Sequence, residues 1–196
     1  MKKLGEIVTI RTGYPFRGAI DRVDDGNCPL VQMGDVRADA GVVPDVQTRV
    51  RLPDGAGKHE LHYGDVLFIA RGNRNEAATF CGAEDNTIAT PHLFVLTPKE
   101  SVSFGEYLTW YLNLPETQTK IRAMRMGSAL PFVPMAALSQ LDVPVPPVKV
   151  QESIIALQGL VLAEQVLLEE IGERRKTLVD AAALDAIKRS MTSQQS

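Results

Sequence analysis

Cysteine and histidine are scarce in this chain, and their placement excludes several kinds of site. The 196 residues include two cysteines, Cys28 and Cys81, and neither lies in a C-x-x-C spacing. A disulfide framework or a cysteine zinc site is therefore not expected, and both thiols are predicted to be free and buried. His59 and His62 would share one helix face, as metal ligands do, but no third ligand follows at a recognisable spacing. A polar turn before a strand is the simpler interpretation, and no metal is predicted.

Long apolar runs are missing as well. No run approaches the roughly 18 residues that a membrane-spanning helix needs. The first residues, M-K-K-L-G-E-I-V, lack the apolar core of a signal peptide. We therefore expect a cytoplasmic protein without membrane association. A hydrophobic content of 44% in 196 residues is enough for one sizeable core, so the length predicts about one domain and an appendage.

Sequence signatures of catalysis are also lacking. The chain has no nucleophile motif, no phosphate-binding glycine loop, no glycine-rich dinucleotide fingerprint and no defensible carboxylate pair. His59, His62 and His92 do not form a recognisable arrangement of base, nucleophile and orienting group, so a small hydrolase is only a minor alternative. The sequence predicts a non-catalytic protein with no cofactor.

The formal net charge of −3 speaks against a polyanionic partner only if all charges are summed. Between Gln118 and Gln140 the chain carries three basic residues and no acidic residue, whereas the C-terminal region contains seven acidic residues. An acidic C-terminal helix could cancel a basic binding surface in the total. The net charge therefore does not exclude nucleic-acid binding.

The first candidate base-reading segment follows a buried strand. After a continuous apolar strand over residues 66–70, the chain reads R-G-N-R-N. Arginine pairs bidentately with guanine and asparagine pairs with adenine. A tight turn alone would explain the glycine and the asparagines, but not two arginines beside them. The candidate DNA-binding residues of this segment are Arg71, Asn73, Arg74 and Asn75.

A second basic segment lies at the end of a predicted helix that begins at a proline. Lys120, Arg122 and Arg125 precede Gly127, which is expected to cap this helix. Cations near a helix C-terminus stabilise the helix dipole, so they have a structural reason to be there. Together with Ser128 they would also form a phosphate clamp.

A third candidate lies near the N-terminus, where glycines and a proline break residues 11–18 into an irregular loop. Arg11 and Arg17 flank Tyr14 and Phe16. Basic and aromatic residues in alternation suit contact with phosphate and with a sugar or base, and Arg17 joins the candidate DNA-binding residues. An aromatic loop packed on the core with solvated arginines is an equally good interpretation.

Other patterns predict the core. Strands are expected at residues 29–36 and 88–97, and Pro91 favours an edge or bulged position for the latter strand. A helix is expected to follow residue 103, and its aromatic stripe, Tyr107, Trp110 and Tyr111, is predicted to be buried.

From Gln151 to about Arg189 the pattern predicts one long helix without proline. Apolar residues recur at three-and-four spacing, and a stripe this wide needs a partner helix. The residues predicted to form a dimer seam are Ile154, Leu157, Val161, Leu168, Ile171 and Leu178.

The stretch from Met126 to Ile155 contains G-S-A-L-P, then L-S-Q-L-D-V-P-V-P-P, then Q-E-S-I. With the upstream runs K-L-G-E-I and G-D-V-L-F-I-A-R-G, this order resembles the target-recognition domain and helix of type I restriction-modification specificity subunits. That family usually has Glu before the Gln of the helix start, where this chain has Val150.

The resemblance implies an α+β fold. A globular mixed α/β target-recognition domain is expected over residues 1–147, a long C-terminal coiled-coil-forming helix over 148–190, and a disordered tail over 191–196. With one such domain, one helix and no internal repeat, the chain resembles a half-length subunit.

The resemblance also implies a function and partners. We expect a DNA-binding subunit that recognises half of a bipartite target. Its partners would be double-stranded DNA, a type I methyltransferase (modification) subunit, the restriction subunit and a second copy of the chain in a homodimer. The alternative is an interaction module on the same scaffold that binds a methyltransferase or another partner without reading DNA.

Overall fold

The computed structural model describes residues 1–16, 18, 20–38, 42–43, 48–52, 55–82, 84–99 and 105–193. For residues 42–43 and 186–193 it describes the backbone only. By their contacts, Met1–Ile155 and Ala156–Ser196 form two compact units. Three small sheets, several short helices and one long C-terminal helix confirm the predicted α+β class.

Ten strands and five helices lie within the described residues. The strands are β1 Lys2–Lys3, β2 Val8–Thr12, β3 Cys28–Val31, β4 Val42–Val43, β5 Arg49–Val50, β6 Val66–Ile69, β7 Ala77–Phe80, β8 Ile88–Ala89, β9 Leu93–Pro98 and β10 Asp142–Val143. The helices are α1 Leu4–Ile7, α2 Gly105–Asn113, α3 Pro115–Ala123, α4 Met135–Ser139 and α5 Val148–Ser193, with a 3₁₀ turn at Gly57–His59.

The largest sheet has the strand order β2-β9-β6-β7-β4, antiparallel except for the β4–β7 pair. Its strand β6 is buried along its whole length because both faces are covered. Side chains alternate between two cores: Val66 and Phe68 belong to one cluster, Leu67 and Ile69 to another. This explains why β6 reads as a continuous apolar run.

Helix α2 covers one face of this sheet and also holds the chain that leads to α5. Tyr107 and Tyr111 are buried, as predicted, and Trp110 packs against the same core. The Tyr107 hydroxyl donates to the Pro144 carbonyl and the Tyr111 hydroxyl to the Asp142 carbonyl, both at 2.8 Å. Strand β10 is thus fixed from one side by α2, and it pairs with β1.

Several predicted elements need correction. The prediction of a single strand over 88–97 is wrong, because β8 and β9 are separated by a turn at Pro91. Strand β9 also lies inside the largest sheet and not at its edge. The strand expected over 29–36 ends at Val31. Gly127 does not cap α3, which ends at Ala123 with Met124 as its cap. Strand β7 was not predicted, since its sequence A-A-T-F has little strand signal of its own.

Helix α5 begins after Pro147 and extends to Ser193. Its first turns belong to the first unit, where Gln151 is buried and Ile154 packs against the core. In the second unit, the remaining residues of the predicted seam are at least 45% exposed: Leu157, Val161, Leu168, Ile171 and Leu178.

Two further expectations concern single features. Cys28 is buried and free as predicted, whereas the free Cys81 is only partly buried. Among the described residues, no helix combines the length and the hydropathy needed to cross a membrane.

Candidate nucleic-acid interface

The loop after β6 and the segment after α3, about fifty residues apart in the sequence, meet in the structure. We call residues 71–76 the arginine loop and residues 126–132 the hairpin. The arginine loop connects β6 to β7, and the hairpin follows α3. The backbone N–H of Gly72, which has a φ of +92°, donates to the Pro131 carbonyl at 2.8 Å. The two segments therefore form one surface.

The hairpin is closed by backbone hydrogen bonds. Met126 and Phe132 exchange two N–H to carbonyl bonds of 2.9 Å each, and the turn between them includes Gly127 at a φ of +86°. On its other side, Phe132 forms an antiparallel bridge with Arg71. The hairpin is thus joined directly to the arginine loop.

Asn75 is the buried centre of this arrangement. Its side chain is 1% exposed, and its Nδ2 donates to the Ile69 carbonyl at 2.8 Å. Its Oδ1 accepts from Arg125 Nε at 2.6 Å, and its carbonyl accepts from Gln118 Nε2 at 2.8 Å. Both polar atoms of the Asn75 amide are thus engaged inside the protein, where they hold the arginine loop to the segment after α3.

Arg125 connects the arginine loop to the start of the hairpin. Besides its bond to Asn75, its Nη2 donates to the Asn73 carbonyl at 2.7 Å. Arg125 therefore links the segment after α3 to the arginine loop. This structural role is separate from any contact with a phosphate.

Three predicted residues lie exposed around this junction. Arg71, Asn73 and Ser128 are all exposed. The Arg71 guanidinium carbon is 6.0 Å from the centroid of the Phe132 ring, within the range of a cation–π contact. Hydrogen-bond donors of the types that read base edges are thus exposed on both the arginine loop and the hairpin.

Arg74 extends away from the hairpin. Its Nη2 lies 3.5 Å from the Met33 carbonyl and its Nη1 lies 3.7 Å from Glu76 Oε1. It also lines a surface pocket that includes Gly34 and Ala38. Arg74 therefore faces the turn after β3.

The remaining basic candidates differ in position. Arg122 is exposed on α3 and donates to Thr119 Oγ1 at 3.0 Å. Lys120 is exposed and close enough to Asp142 to help lower the pKa of its carboxyl, which is lowered chiefly by a hydrogen bond from Lys3. Arg17 lies outside the described residues.

The segment around Arg11 makes contacts within the domain. The Arg11 guanidinium donates to the carbonyls of His59 and Glu60 at 3.1 and 2.6 Å, and burial lowers its pKa. Tyr14 and Phe16 pack against the small core under β3. Tyr14 and Phe16 therefore pack as the alternative interpretation expected, whereas Arg11 is part-buried and hydrogen-bonded and is not the solvated arginine of that interpretation.

His59 and His62 flank the turn before β6, as the simpler interpretation of the sequence expected. The pKa of His59 is lowered by burial and by the charges of Lys58 and Arg11. The His62 side chain is exposed, and its Nδ1 lies 4.0 Å from Asp65 Oδ2. Among the side chains that the structure describes, no group of three or more His, Cys, Asp and Glu could hold a metal ion.

The expected division of charge between domain and helix does not hold. Residues 148–196 carry seven acidic and six basic side chains, so this region supplies little offsetting charge. The asymmetry lies within the first unit, where every charged side chain of residues 118–140 is basic.

Three apolar side chains on the hairpin were not predicted to be part of this surface. Met126, Leu130 and Phe132 are 58%, 61% and 37% exposed. The signal that could have found them is the presence of large apolar residues on both sides of a Gly-Ser turn.

Comparisons with solved structures show the same fold in longer chains. A chain from a study titled "Structural basis underlying complex assembly and conformational transition of the type I R-M system" matches with a TM-score of 0.62 and 20% identity, covering 85% of this chain and 38% of that one. The HsdS subunit from Thermoanaerobacter tengcongensis matches with a TM-score of 0.59 and 21% identity, covering 85% and 37%.

A type I restriction-modification system S subunit from M. genitalium matches with a TM-score of 0.53 and 13% identity, covering 80% of this chain and 37% of that one. This chain thus spans less than two fifths of the length of each of the three. A search of curated proteins finds no match.

The family model decides the assignment. The model described as "Type I restriction modification DNA specificity domain" matches residues 1–171, most of the 196-residue chain. The resemblance seen in the sequence motifs is therefore confirmed, and the chain belongs to the family of type I restriction-modification DNA specificity subunits.

Proposed function

We propose that this chain recognises one half of a bipartite DNA target with the surface formed by the arginine loop and the hairpin. The observation that carries the proposal is their junction: Arg125 bonds both Asn73 and Asn75 across about fifty residues of sequence. Membership of the specificity family supports DNA as the ligand. The exposed donors Arg71 and Asn73 have the chemistry that base edges require.

The proposed roles follow the positions of the side chains. Arg71 and Asn73 read base edges, while Ser128 and Arg122 contact phosphates beside them, because phosphate contacts fix the register without reading sequence. Arg125 and Asn75 act as positioning residues.

The other basic candidates lie further from the junction. Lys120 and Arg74 extend the basic surface towards β10 and towards the turn after β3. The assignment of Arg17 rests on the sequence alone.

The second part of the proposal concerns assembly. Residues 1–147 form the recognition domain, and residues 148–190 are a spacer that pairs with the same helix of a second chain. Support comes from the exposed apolar stripe of α5, which includes Leu168, Ile171 and Leu178. The homodimer docks type I methyltransferase subunits, and the restriction subunit joins through them. This chain supplies recognition without catalysis of its own.

A symmetric protein predicts a symmetric target. The 46-residue helix α5 is about 69 Å long at roughly 1.5 Å per residue, more than one turn of duplex at about 34 Å. An antiparallel pair of such helices can therefore hold two recognition domains at separate half-sites. Two-fold symmetry in the protein is mirrored in the DNA, so the target would be an interrupted palindrome. Glu164 and Arg175 could form two ion pairs across the dyad.

The decisive experiment first finds the target by methylome sequencing of a host that expresses the chain with its cognate methyltransferase. Binding of the purified chain is then measured by fluorescence anisotropy on the target duplex and on a shuffled duplex. Arg71→Ala should reduce the preference for the target by roughly 5- to 150-fold, the equivalent of losing about 1–3 kcal/mol of base discrimination. Arg122→Ala should weaken binding to both duplexes and lower the salt slope by about one.

Arg51→Ala is the matched control, because Arg51 is an exposed arginine paired with Asp25 and lies in neither loop. Its binding should equal that of the parent. Equal binding by the parent to target and shuffled duplexes would reject DNA reading and favour the interaction module. Unchanged preference in a folded Arg71→Ala variant would reject the assigned surface.

A further inference from the structure

The exposed apolar residues of the hairpin need an explanation that the arginines do not give. Met126 and Leu130 are more than half exposed, and Phe132 is 37% exposed, within one seven-residue loop. Residues 126–130 are all exposed, and Ser128 is the only polar side chain among them. Grouped exposed apolar side chains mark contact surfaces more often than isolated ones do.

The backbone fixes the direction of the Phe132 side chain. Phe132 is bonded to Met126 through both backbone groups, and the adjacent Val133 donates to the Ala70 carbonyl at 2.8 Å. Val133 is fully buried, so the alternation of an extended strand turns Phe132 to the opposite, outer side. The Phe132 ring is thus held at the surface by the fold.

The charges around the hairpin select its partner. Arg71 lies 6.0 Å from the Phe132 ring, Arg125 directly precedes the hairpin, and residues 118–140 contain no acidic side chain. A partner that fits must offer negative charge around a small apolar group. In the major groove of duplex DNA, the apolar group on the base edges is the 5-methyl group of thymine, and phosphates flank it.

We propose that Leu130 and Phe132 read the 5-methyl group of a thymine in the major groove of the target. The inference rests on the proposed function, and it adds apolar readout to the hydrogen bonds of Arg71. The distance between Arg71 and Phe132 is 6.0 Å, less than two base-pair steps of about 3.4 Å. The thymine therefore lies within about two base pairs of the guanine that Arg71 pairs with.

Replacing thymine by uracil tests this directly, because it removes the methyl group and keeps every hydrogen-bonding group. Each thymine of the half-site is replaced in turn, and binding of the full chain is measured by anisotropy. We expect one or two positions at which uracil weakens binding by about four-fold, as the burial of one methyl-sized group predicts. The remaining positions should change little.

Variants then assign the effect to residues. Leu130→Ala and Phe132→Ala should lose the sensitivity to uracil at those positions, whereas Arg71→Ala should retain it while binding more weakly. If Phe132→Ala does not fold by circular dichroism, Leu130→Ala alone decides the assignment. Tyr63→Ala is the matched control, since Tyr63 is a 73% exposed aromatic residue in neither loop.

The outcomes separate this inference from the function on which it rests. If Arg71→Ala lowers selective binding but no uracil substitution affects it, methyl readout is overturned and the proposed function stands. The same follows from a half-site without thymine, or from sensitivity to uracil that persists in the Leu130 and Phe132 variants. A duplex with 2-aminopurine in place of an adenine of the half-site reports unstacking of the bases. If binding enhances its fluorescence and uracil substitution has no effect, an apolar side chain inserts between bases, and methyl readout is also overturned. Absence of selective binding by the parent would overturn both proposals.

Discussion

At the scale of single residues, burial separates two asparagines that look equivalent in the sequence. Asn73 is exposed, whereas Asn75 is 1% exposed with both side-chain atoms bonded. Asn75→Ala should lower the free energy of unfolding by about 1–3 kcal/mol, because the Ile69 carbonyl and Arg125 lose their partner in a buried site. Urea denaturation monitored by circular dichroism measures this.

Asn73→Ala is the internal control and should stay within about 0.5 kcal/mol of the parent. Equal losses in the two variants would contradict the positioning role of Asn75.

The sequence predicted that Arg71 and Arg74 lie in a loop directly after a buried strand, because R-G-N-R-N after an apolar run is a local pattern. It could not predict that Arg125 bonds Asn75, since that bond depends on how the segment after α3 lies against the loop between β6 and β7. The same limit applies to Arg11, whose carbonyl partners at His59 and Glu60 are 48 and 49 residues away. Single side chains are therefore assigned to structural or binding roles only once their distant partners are known.

At the scale of elements, the two tyrosine hydroxyls of α2 hold the segment before the long helix. Tyr107→Phe should destabilise the protein by about 0.5–1.5 kcal/mol, the usual contribution of one hydrogen bond. The double variant Tyr107→Phe, Tyr111→Phe should lose about twice as much. Both changes keep the buried rings, so thermal or urea unfolding reports the loss of the bonds to Pro144 and Asp142.

Tyr63→Phe is the control, because Tyr63 is 73% exposed and its loss should be small. If the double variant unfolds with the parent's midpoint, α2 does not fix β10 through these bonds.

Elements with a strong local pattern were predicted well, and those that depend on pairing were not. Pro115 starts α3 as expected, since proline suits the first helical turn. Strands β8 and β9 were merged in the prediction because both are apolar and only Pro91 interrupts them. Which sheet each one joins is decided by distant strands: β8 pairs with β3, and β9 lies between β2 and β6.

At the scale of the whole molecule, the exposed stripe of α5 predicts a homodimer. Light scattering at micromolar concentration should give twice the 21.4 kDa mass of one chain. Leu168→Glu with Ile171→Glu should give a monomer, because charges in the seam would be buried without partners. These substitutions leave the start of α5 intact, where Ile154 packs on the core.

Glu170→Gln is the control on another side of the helix, where Glu170 pairs with Arg174 at 3.4 Å. It should remain dimeric. A monomeric parent, or a double variant that stays dimeric, would refute α5 as the seam.

The bond between Arg125 and Asn75 has a consequence for redesigning specificity. Because it joins the arginine loop to the residues just before the hairpin, the two behave as a single cassette. A transplant of residues 71–76 from another family member would bring a foreign partner for Arg125 and would misplace the grafted side chains. Exchanging 71–76 together with 125–132 preserves the match, so engineers who wish to retarget this domain should move both segments at once.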